Sequence, residues 1–187
     1  MATIQVKGKT VPTVTVEGNT KSLNGKVDVP LLLSFPHSGE YYPDDFETNP
    51  ELTFEILDFP NDKYVDELYQ ASKPMGLTSI KANFARVYID VNRHQHDIDS
   101  KMMATDEPWY GRLHPTVSGL ETGSSLFWSK SKLGIYDLYD RKLSQKEMKR
   151  RLATCYIPFH QAVKSIWEDI KQQHLFVYVL DCHSYTQ

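Results

Sequence analysis

Two histidines, each just beyond an apolar run of strand length, are the residues in this sequence best placed to do chemistry. His37 follows residues 30–35, and His183 follows residues 175–180. Because ligands of open α/β sheets bind beyond the carboxyl ends of the strands, we expect the two imidazoles to meet. Glu40 completes an H-x-x-E spacing, which lets an imidazole and a carboxylate reach one metal ion from a single loop. Two histidines and a glutamate around an open coordination position are typical of catalytic zinc.

A second concentration of polar groups lies on an apolar segment at residues 84–99, FARVYIDVNRHQHDID. A guanidinium buried there needs a partner. Arg93 has the planar fork that binds a carboxylate through two parallel hydrogen bonds, and Asn92 adds a donor beside it. The alternative is an internal ion pair between this arginine and one of three nearby carboxylates: Asp90, Asp97 or Asp99. Spacing alone leaves both interpretations open.

Other motifs have both a functional and a structural interpretation. The H-x-x-E spacing alone also fits a loop histidine bonded to backbone beside an unrelated surface glutamate. His94 and His96 form an H-x-H pair that could bind a metal from one strand face, or could hydrogen-bond to nearby aspartates. His160 lies on a predicted helix facing the sheet, where a satisfied core group is as common as a catalytic one.

The elements that must position these residues predict an α/β fold with a mixed central sheet flanked by helices. The unbroken apolar run at residues 30–35 is typical of a strand covered on both faces. Alternation over residues 4–16 predicts a hairpin-like pair of short strands. The other predicted strands are at residues 78–80, 87–91 and 175–180. We expect one domain over residues 1–187, with short N-terminal strands within residues 1–29.

Two helices and one long irregular segment complete the prediction. Apolar residues recur on one face over residues 62–73, which predicts a helix of about three turns. Ser144 and Glu147 form a capping box, and the helical spacing that follows predicts a long helix kinked at Pro158. Residues 94–134 show no sustained period, and a segment of this kind is often a binding or lid loop.

Composition narrows the class of protein. The 187 residues have a formal net charge of −3, which provides no field of one sign to attract nucleic acid or an anionic membrane. Cys155 and Cys182 fit no CxxC spacing, so we expect reduced thiols. The N-terminus lacks the apolar core of a signal peptide, and the longest apolar runs are too short to span a bilayer. The sequence therefore predicts a cytoplasmic protein that binds neither nucleic acid nor a membrane, and that is either a monomer or a homo-oligomer.

Several of these motifs occur together in one order, and as a set they resemble a known family. The segments are PLLLSFPHSGEYYP, DKYVDELY, ANFARVYIDVNR with HDID, YIPFH and LDCHS. This series resembles the N-formylglutamate amidohydrolase family from about residue 30 to the last residue. The family is similar in fold to zinc carboxypeptidases and aspartoacylases, a phosphorylase/hydrolase-like architecture. The resemblance implies hydrolysis of N-formyl-L-glutamate, or of a similar small N-acyl amino acid, to formate and glutamate in histidine degradation.

The resemblance also implies roles for individual residues. His37, Glu40 and His183 would be the ligands of Zn²⁺, with Asp62 as the second candidate for the carboxylate ligand. Asn92 and Arg93 would bind the carboxylate of the substrate. Arg86 would act on the oxyanion as a catalytic residue.

The general base is the part that the resemblance does not supply. In carboxypeptidase-like enzymes it comes from sequence beyond the strand of the third ligand, and this sequence stops four residues after His183. We therefore expect a chain lacking the C-terminal part, a short homologue without the base, or another carboxylate such as Glu121 in its place. Exposed apolar surface or dimerisation near His183 is also expected. Two alternatives remain: a zinc carboxypeptidase or peptidoglycan amidase, and a homologue that binds metal and carboxylate without turnover.

Overall fold

The computed structural model describes residues 2–18, 27–104, 109, 112–131 and 134–184. Its strands are β1 (Thr3–Val6), β2 (Lys9–Pro12), β3 (Val14–Glu17), β4 (Leu31–Phe35), β5 (Thr78–Ala82), β6 (Lys130–Ser131), β7 (Tyr136–Asp137) and β8 (Tyr178–Asp181). Its helices are α1 (Phe54–Asp58), α2 (Val65–Leu68), α3 (Val117–Thr122), α4 (Gln145–Arg151) and α5 (Ile157–Lys171). Within these ranges, no helix is both long enough and apolar enough to cross a membrane.

A mixed four-stranded sheet in the order β3-β5-β4-β8 lies at the centre of the fold. β4 runs parallel to both of its neighbours, β5 and β8, whereas β3 pairs antiparallel with β5. The predicted mixed central sheet is therefore confirmed, and β4 is the internal strand that its unbroken apolar run predicts.

The two faces of β4 bury alternate side chains. Leu32 packs into the main core with Ile166 and Ile170 of α5, whereas Leu33 and Phe35 form a smaller cluster on the other face with Val65. Successive side chains of a strand point to opposite faces, so a strand covered on both sides needs apolar residues throughout.

The predicted N-terminal hairpin is confirmed for residues 3–12, whereas the end of the predicted range forms β3 of the central sheet. β1 and β2 pair antiparallel through a turn at Lys7 and Gly8, whose φ angles of 49° and 73° are both positive. Two successive residues with positive φ form the type of turn whose twist matches a β-hairpin.

The long helix begins at the predicted capping box, where Ser144 Oγ accepts a hydrogen bond of 3.2 Å from the Glu147 backbone N–H. The predicted kink takes the form of one π-helical turn, Leu152–Tyr156, between α4 and α5. Pro158 explains the wide turn, because it has no N–H and its ring crowds the carbonyl of Thr154 four residues earlier.

The predicted three-turn helix at residues 62–73 is wrong. Only α2 and a short 3₁₀ segment, Gln70–Ser72, are helical there. Tyr64 has a φ of 63°, a left-handed conformation that interrupts a helix. The Asp62 backbone N–H instead donates a hydrogen bond of 3.0 Å to the His37 carbonyl, so this segment is tied to the loop after β4.

The predicted strand at residues 87–91 is also wrong. The segment is buried, but its hydrogen bonds are those of turns and single contacts. Tyr88 N–H donates to the Ala85 carbonyl, and Asp90 N–H donates to the Leu126 carbonyl. An apolar run indicates that a segment is buried, but it does not distinguish a strand from a buried irregular segment.

β8 lies at an edge of the described sheet and is solvent-exposed along its length. Leu175 is 99% exposed, and Phe176 and Val179 are at least half exposed. The expected exposed apolar surface near His183 is therefore confirmed.

Candidate metal centre

The parallel pairing of β4 and β8 brings His37 and His183 together. Ser34 stands opposite Asp181, and Cys182 N–H donates a hydrogen bond of 2.8 Å to the Ser34 carbonyl. Both strands therefore end at the same level of the sheet, and the two imidazole centroids are 4.8 Å apart. The expected meeting of the two histidines beyond the strand ends is confirmed.

Asp62 is the third member of the cluster. His37 Nδ1 lies 3.2 Å from Asp62 Oδ2 and 3.2 Å from His183 Nδ1, and His183 Nδ1 lies 2.8 Å from the same carboxylate oxygen. Three zinc ligands in a tetrahedral site, each about 2.1 Å from the metal, lie about 3.4 Å apart. The three side chains thus form a triangle of the size that a transition-metal ion needs.

Neighbouring groups hold the Asp62 carboxylate in the cluster. Ser38 Oγ donates to the Asp62 backbone carbonyl at 3.0 Å, and Ser184 Oγ donates to Asp62 Oδ1 at 2.7 Å. Burial by itself would raise the pKa of Asp62, but hydrogen bonds from His37, Ser184 and His183 hold the pKa well below its usual range. Asp62 is therefore an ionised carboxylate with one oxygen oriented by Ser184 and the other directed at the histidines.

Glu40 does not join this cluster, which corrects the first choice of carboxylate ligand. Its side chain is exposed and lines a separate cavity with Lys7 and Tyr42. The chain after His37 is extended: Tyr41 forms a parallel bridge to Phe84, and its N–H donates to the Asn83 carbonyl at 2.9 Å. On extended backbone, residues three apart point to opposite sides, so this H-x-x-E spacing separates the two side chains.

The fully buried carboxylate of Asp90 determines which nitrogen of His37 carries a proton. Asp90 Oδ1 lies 2.7 Å from His37 Nε2 and accepts from Asn92 N–H, while Oδ2 accepts from Arg86 and from Trp128 Nε1–H. Burial would raise the pKa of Asp90, but the charges of His37 and Arg86 and these hydrogen bonds hold the pKa far below its usual range. A carboxylate without a proton can only accept, so Nε2 of His37 is the donor and its Nδ1 has a lone pair when the ring is neutral.

The donor set of the cluster fits a metal cation. His183 Nε2 lies 3.0 Å from Asp181 Oδ2 and 3.2 Å from Asn92 Nδ2, so its other nitrogen, Nδ1, is the one directed at Asp62. Two imidazole nitrogens and a carboxylate oxygen then face one point, a donor set that binds a metal cation once both nitrogens are unprotonated. Burial alone would lower the pKa of His37, yet the charge of Asp90 and the hydrogen bonds to Asp62 and Asp90 raise it above its ordinary value. The residues present therefore fit a zinc-type ion held by His37, Asp62 and His183.

A cavity of about 530 Å³ adjoins the cluster and contains Arg86. Asp62 and Ser184 form one end of its wall. The Arg86 guanidinium donates a hydrogen bond of 2.9 Å to Asp90 Oδ2 and one of 3.3 Å to the Pro60 carbonyl. Its Cζ atom lies 4.9 Å from the centroid of the Trp128 ring. The predicted oxyanion residue is therefore fixed beside the metal cluster by the same carboxylate that orients His37.

Asn92 and Arg93 lie on two sides of this region. Asn92 Nδ2 is 3.2 Å from His183 Nε2. Arg93 lines the cavity, and its guanidinium donates a hydrogen bond of 3.3 Å to Ser124 Oγ. The three aspartates that could have paired with this arginine have other partners: Asp90 binds Arg86 and His37, Asp97 binds Thr116, and Asp99 binds the Lys101 backbone. The geometry favours the alternative in which the Arg93 guanidinium faces a ligand.

The remaining candidates lie elsewhere. His94 Nδ1 accepts from the His96 backbone N–H, and neither ring belongs to the metal cluster found among the described residues. His160 Nε2 contacts the Val91 carbonyl at 3.0 Å, and burial lowers its pKa, so it is a satisfied neutral group. Glu121 is exposed on α3.

Four site residues were absent from the candidates: Asp90 in its role toward His37, and Ser124, Trp128 and Ser184. Only Asp90 had a sequence signal, since a carboxylate in an apolar run must have buried partners. The other three lie in segments without periodicity or beside His183, where spacing predicts no contact. Residues 94–134, the expected binding loop, supply part of the cavity wall through Ser118, Thr122, Ser124 and Trp128.

The family model described as N-formylglutamate amidohydrolase matches residues 29–187. The chain belongs to the N-formylglutamate amidohydrolase family. A curated family relative, N-formylglutamate deformylase of Pseudomonas putida, is 27% identical over 157 residues, which are 83% of this chain and 52% of that protein.

Two solved structures extend the comparison. The crystal structure of N-formylglutamate amidohydrolase from Ralstonia eutropha is 34% identical with a TM-score of 0.82, and the match covers 94% of this chain and 59% of that one. A gene product of Agrobacterium tumefaciens shares the fold at 20% identity and a TM-score of 0.60, over 94% of this chain and 57% of the other. This member of the N-formylglutamate amidohydrolase family thus spans between half and three-fifths of the length of the relatives it matches.

Proposed function

We propose that this chain is a zinc-dependent amidohydrolase that converts N-formyl-L-glutamate to formate and glutamate, on a fold of the zinc carboxypeptidase type. The observation that supports the proposal is the convergence of His37 Nδ1, Asp62 Oδ2 and His183 Nδ1 beside a cavity that contains two arginines. The Pseudomonas putida and Ralstonia eutropha proteins are named for this activity. A deformylase needs a carbonyl-activating centre and a cationic subsite for a carboxylate, and Asp62 of the cluster lines the same cavity as Arg86 and Arg93.

The metal would be held by His37, Asp62 and His183. When bound, zinc supplies a Lewis acid that polarises a carbonyl and lowers the pKa of water to about 7. Asp90 keeps the proton of His37 on Nε2, so that Nδ1 is available as a ligand, and Ser184 fixes the rotamer of the Asp62 carboxylate.

Arg86 is the group that would stabilise the oxyanion. Its guanidinium is locked by Asp90 and the Pro60 carbonyl and lies against Trp128, so it loses little freedom when the reaction develops charge. Its Nε is buried and has no hydrogen-bond partner in the part of the chain that the structure describes. A preorganised donor of this kind contributes about 3 kcal/mol to stabilisation of the transition state.

Arg93 and Asn92 would orient the substrate. A glutamate derivative has two carboxylates, and the Arg93 fork can bind one of them through parallel hydrogen bonds. Asn92 lies next to His183 and adds a donor close to the reacting end. Binding at Arg93 would place the formyl group toward the metal cluster, because both sites border the same cavity.

One observation favours a second candidate, a protein that binds metal and acylated amino acid without turnover. Among the described residues that line the cavity, Asp62 is the only carboxylate, and it is assigned to the metal. Amide hydrolysis also needs a general base to accept the proton of water and deliver it to the leaving amine. A protein that binds N-formylglutamate but releases no formate would support this candidate.

Metal analysis and formate release test the proposal together. We expect about one zinc per chain after purification with zinc, loss of that metal in His37→Ala and His183→Ala, and formate release from N-formyl-L-glutamate. His114→Ala is the matched control, because that imidazole is exposed and outside the cluster. Unchanged metal content in both ligand variants would overturn the metal assignment.

A substrate panel separates the sister activities. The carboxypeptidase and peptidoglycan amidase alternatives predict cleavage of C-terminal peptides or muropeptides in preference to N-formylglutamate. The proposal predicts the reverse order of kcat/KM. Faster cleavage of peptides would replace it.

A further inference from the structure

The partly buried Arg93 is held by a hydroxyl group, not by a carboxylate. Its guanidinium donates to Ser124 Oγ at 3.3 Å, and Ser124 Oγ lies 2.7 Å from Thr122 Oγ1. Thr122 Oγ1 in turn lies 2.8 Å from the Ser118 carbonyl. Arg93, Ser124 and Thr122 all line the cavity.

The direction of this chain of hydrogen bonds follows from the number of protons. The Ser118 carbonyl can only accept, so the single proton of the Thr122 hydroxyl is directed to it. Ser124 must then donate its own proton to Thr122 Oγ1, which leaves the lone pairs of Ser124 Oγ for a donor. A guanidinium has only donors, so Arg93 completes the chain at its open end.

The backbone around Ser124 fixes the position of its hydroxyl. The Ser124 backbone N–H donates a hydrogen bond of 3.0 Å to the Gly119 carbonyl. Gly123 ends α3 with a φ of 69°, and a Cβ at this position would come within 2.7 Å of Lys130 and Ser129 side-chain atoms. A glycine is therefore required for the turn that directs Ser124 toward Arg93.

The buried carboxylate of Asp97 anchors the start of the same helix. The carboxylate accepts a hydrogen bond of 2.8 Å from the Thr116 backbone N–H and one of 3.1 Å from the Thr116 hydroxyl. Thr116 Oγ1 in turn accepts a hydrogen bond from the Gly119 backbone N–H. The hydroxyl chain is thus mounted on a rigid turn that is tied to the segment bearing Arg93.

We propose that Ser124 is a positioning residue that orients Arg93 for the substrate carboxylate. This inference rests on the proposed function, in which Arg93 binds that carboxylate. A neutral hydroxyl restrains the long arginine side chain but leaves its positive charge uncompensated. A carboxylate in the same place would compete with the substrate for the fork.

Binding of N-formyl-L-glutamate to the zinc-loaded chain, measured by isothermal titration calorimetry, tests the inference. We expect Ser124→Ala to raise Kd about fivefold to tenfold, which is within the range for the loss of one typical hydrogen bond. Ser124→Thr retains the hydroxyl and should restore most of the affinity. Ser125→Ala is the control, because the neighbouring Ser125 hydroxyl is buried and has no hydrogen-bond partner among the described residues.

An Arg93→Ala background separates positioning from a general structural effect. If Ser124 acts through Arg93, adding Ser124→Ala to Arg93→Ala changes Kd less than twofold, and zinc content is unchanged throughout. An unchanged Kd in Ser124→Ala, or an equal loss in the Arg93→Ala background, would overturn the inference while leaving the proposed function intact. Absence of N-formylglutamate binding by the unmodified chain would overturn both.

Discussion

Asp90 Oδ1 and His37 Nε2 lie 2.7 Å apart, and both side chains are buried. The other oxygen of the same carboxylate receives Arg86 and Trp128. One aspartate therefore sets which nitrogen of His37 carries a proton and fixes the position of the Arg86 guanidinium. Asp90 consequently couples a proposed metal ligand to the proposed oxyanion residue.

Asp90→Asn should lower zinc affinity by about 10- to 100-fold, because an amide holds the His37 tautomer less firmly than a carboxylate. Competition against a chelator of known affinity measures the effect. Asp97→Asn is the matched control, since Asp97 is equally buried but binds Thr116 away from the cluster. Equal zinc affinity in Asp90→Asn and the unmodified chain would contradict the assigned role.

Asp62→Asn and Glu40→Gln distinguish the two carboxylates as ligands. We expect Asp62→Asn to lose bound zinc, because Asp62 is the only carboxylate among the described residues that contacts both histidines, and Glu40→Gln to retain about one zinc per chain. Metal analysis after gel filtration reports the ratio. Zinc loss in Glu40→Gln would show that the exposed carboxylate reaches the metal.

Arg86→Lys should lower kcat for formate release by about 10²- to 10³-fold with little change in KM, the pattern of a lost transition-state donor. Lysine keeps the charge toward Asp90 but lacks the planar group that stacks on Trp128. Steady-state kinetics give the split between kcat and KM, and thermal unfolding checks the fold. Arg150→Lys, at an exposed ion pair with Asp45, should leave both constants unchanged. An effect on KM alone would assign Arg86 to ground-state binding.

Glu147 should make the free energy of unfolding depend on pH in the acidic range. Burial would raise the pKa of Glu147, but hydrogen bonding to Arg141 and the charge of the fully buried Arg151 lower it below its ordinary value of 4.5. A carboxylate with a lower pKa in the folded state contributes stability above about pH 4.5, and this contribution is lost as the pH falls through the folded-state pKa.

Glu147→Gln should therefore lower the free energy of unfolding by about 3 kcal/mol at pH 7, because it leaves Arg151 without its counter-charge. The difference from the unmodified chain should shrink as the pH falls below 4. Urea unfolding at several pH values measures both effects. Glu168→Gln removes an exposed pair with Lys164 and should cost less than about 0.5 kcal/mol. A pH-independent difference would mean that packing and not charge is responsible.

Val179→Lys should reduce concentration-dependent association. β8 is an edge strand of the sheet formed by the described residues, and its apolar side chains are exposed. This combination favours pairing with other chains, and a lysine on an edge strand opposes it. Light scattering over a concentration series measures the change. Leu68→Lys, at a position 78% exposed on α2, controls for added charge away from the edge. Equal effects of the two variants would remove the edge as the cause.

The local sequence pattern was sufficient to predict several of the secondary-structure elements. The apolar run of β4, the hairpin at residues 3–12 and the capping box at Ser144 all lie where the sequence places them. The turn at Lys7 and Gly8 and the side-chain cap are each determined within a few neighbouring residues, and the apolar run of β4 specifies a strand that must be covered on both faces. His37 and His183 could also be paired from sequence, because strand ends of a parallel sheet share one edge.

Tertiary structure decided the carboxylate ligand and the contacts around it. Asp62 reaches the histidines because its backbone is bonded to His37 and Ser38 across a gap of 24 or 25 positions, and no periodicity encodes such a contact. Glu40 is turned away because its backbone is extended and not helical, a choice made by the bridge from Tyr41 to Phe84. The sequence by itself determined which residue types are available, whereas the pairing of distant segments determined which of them share one point in space.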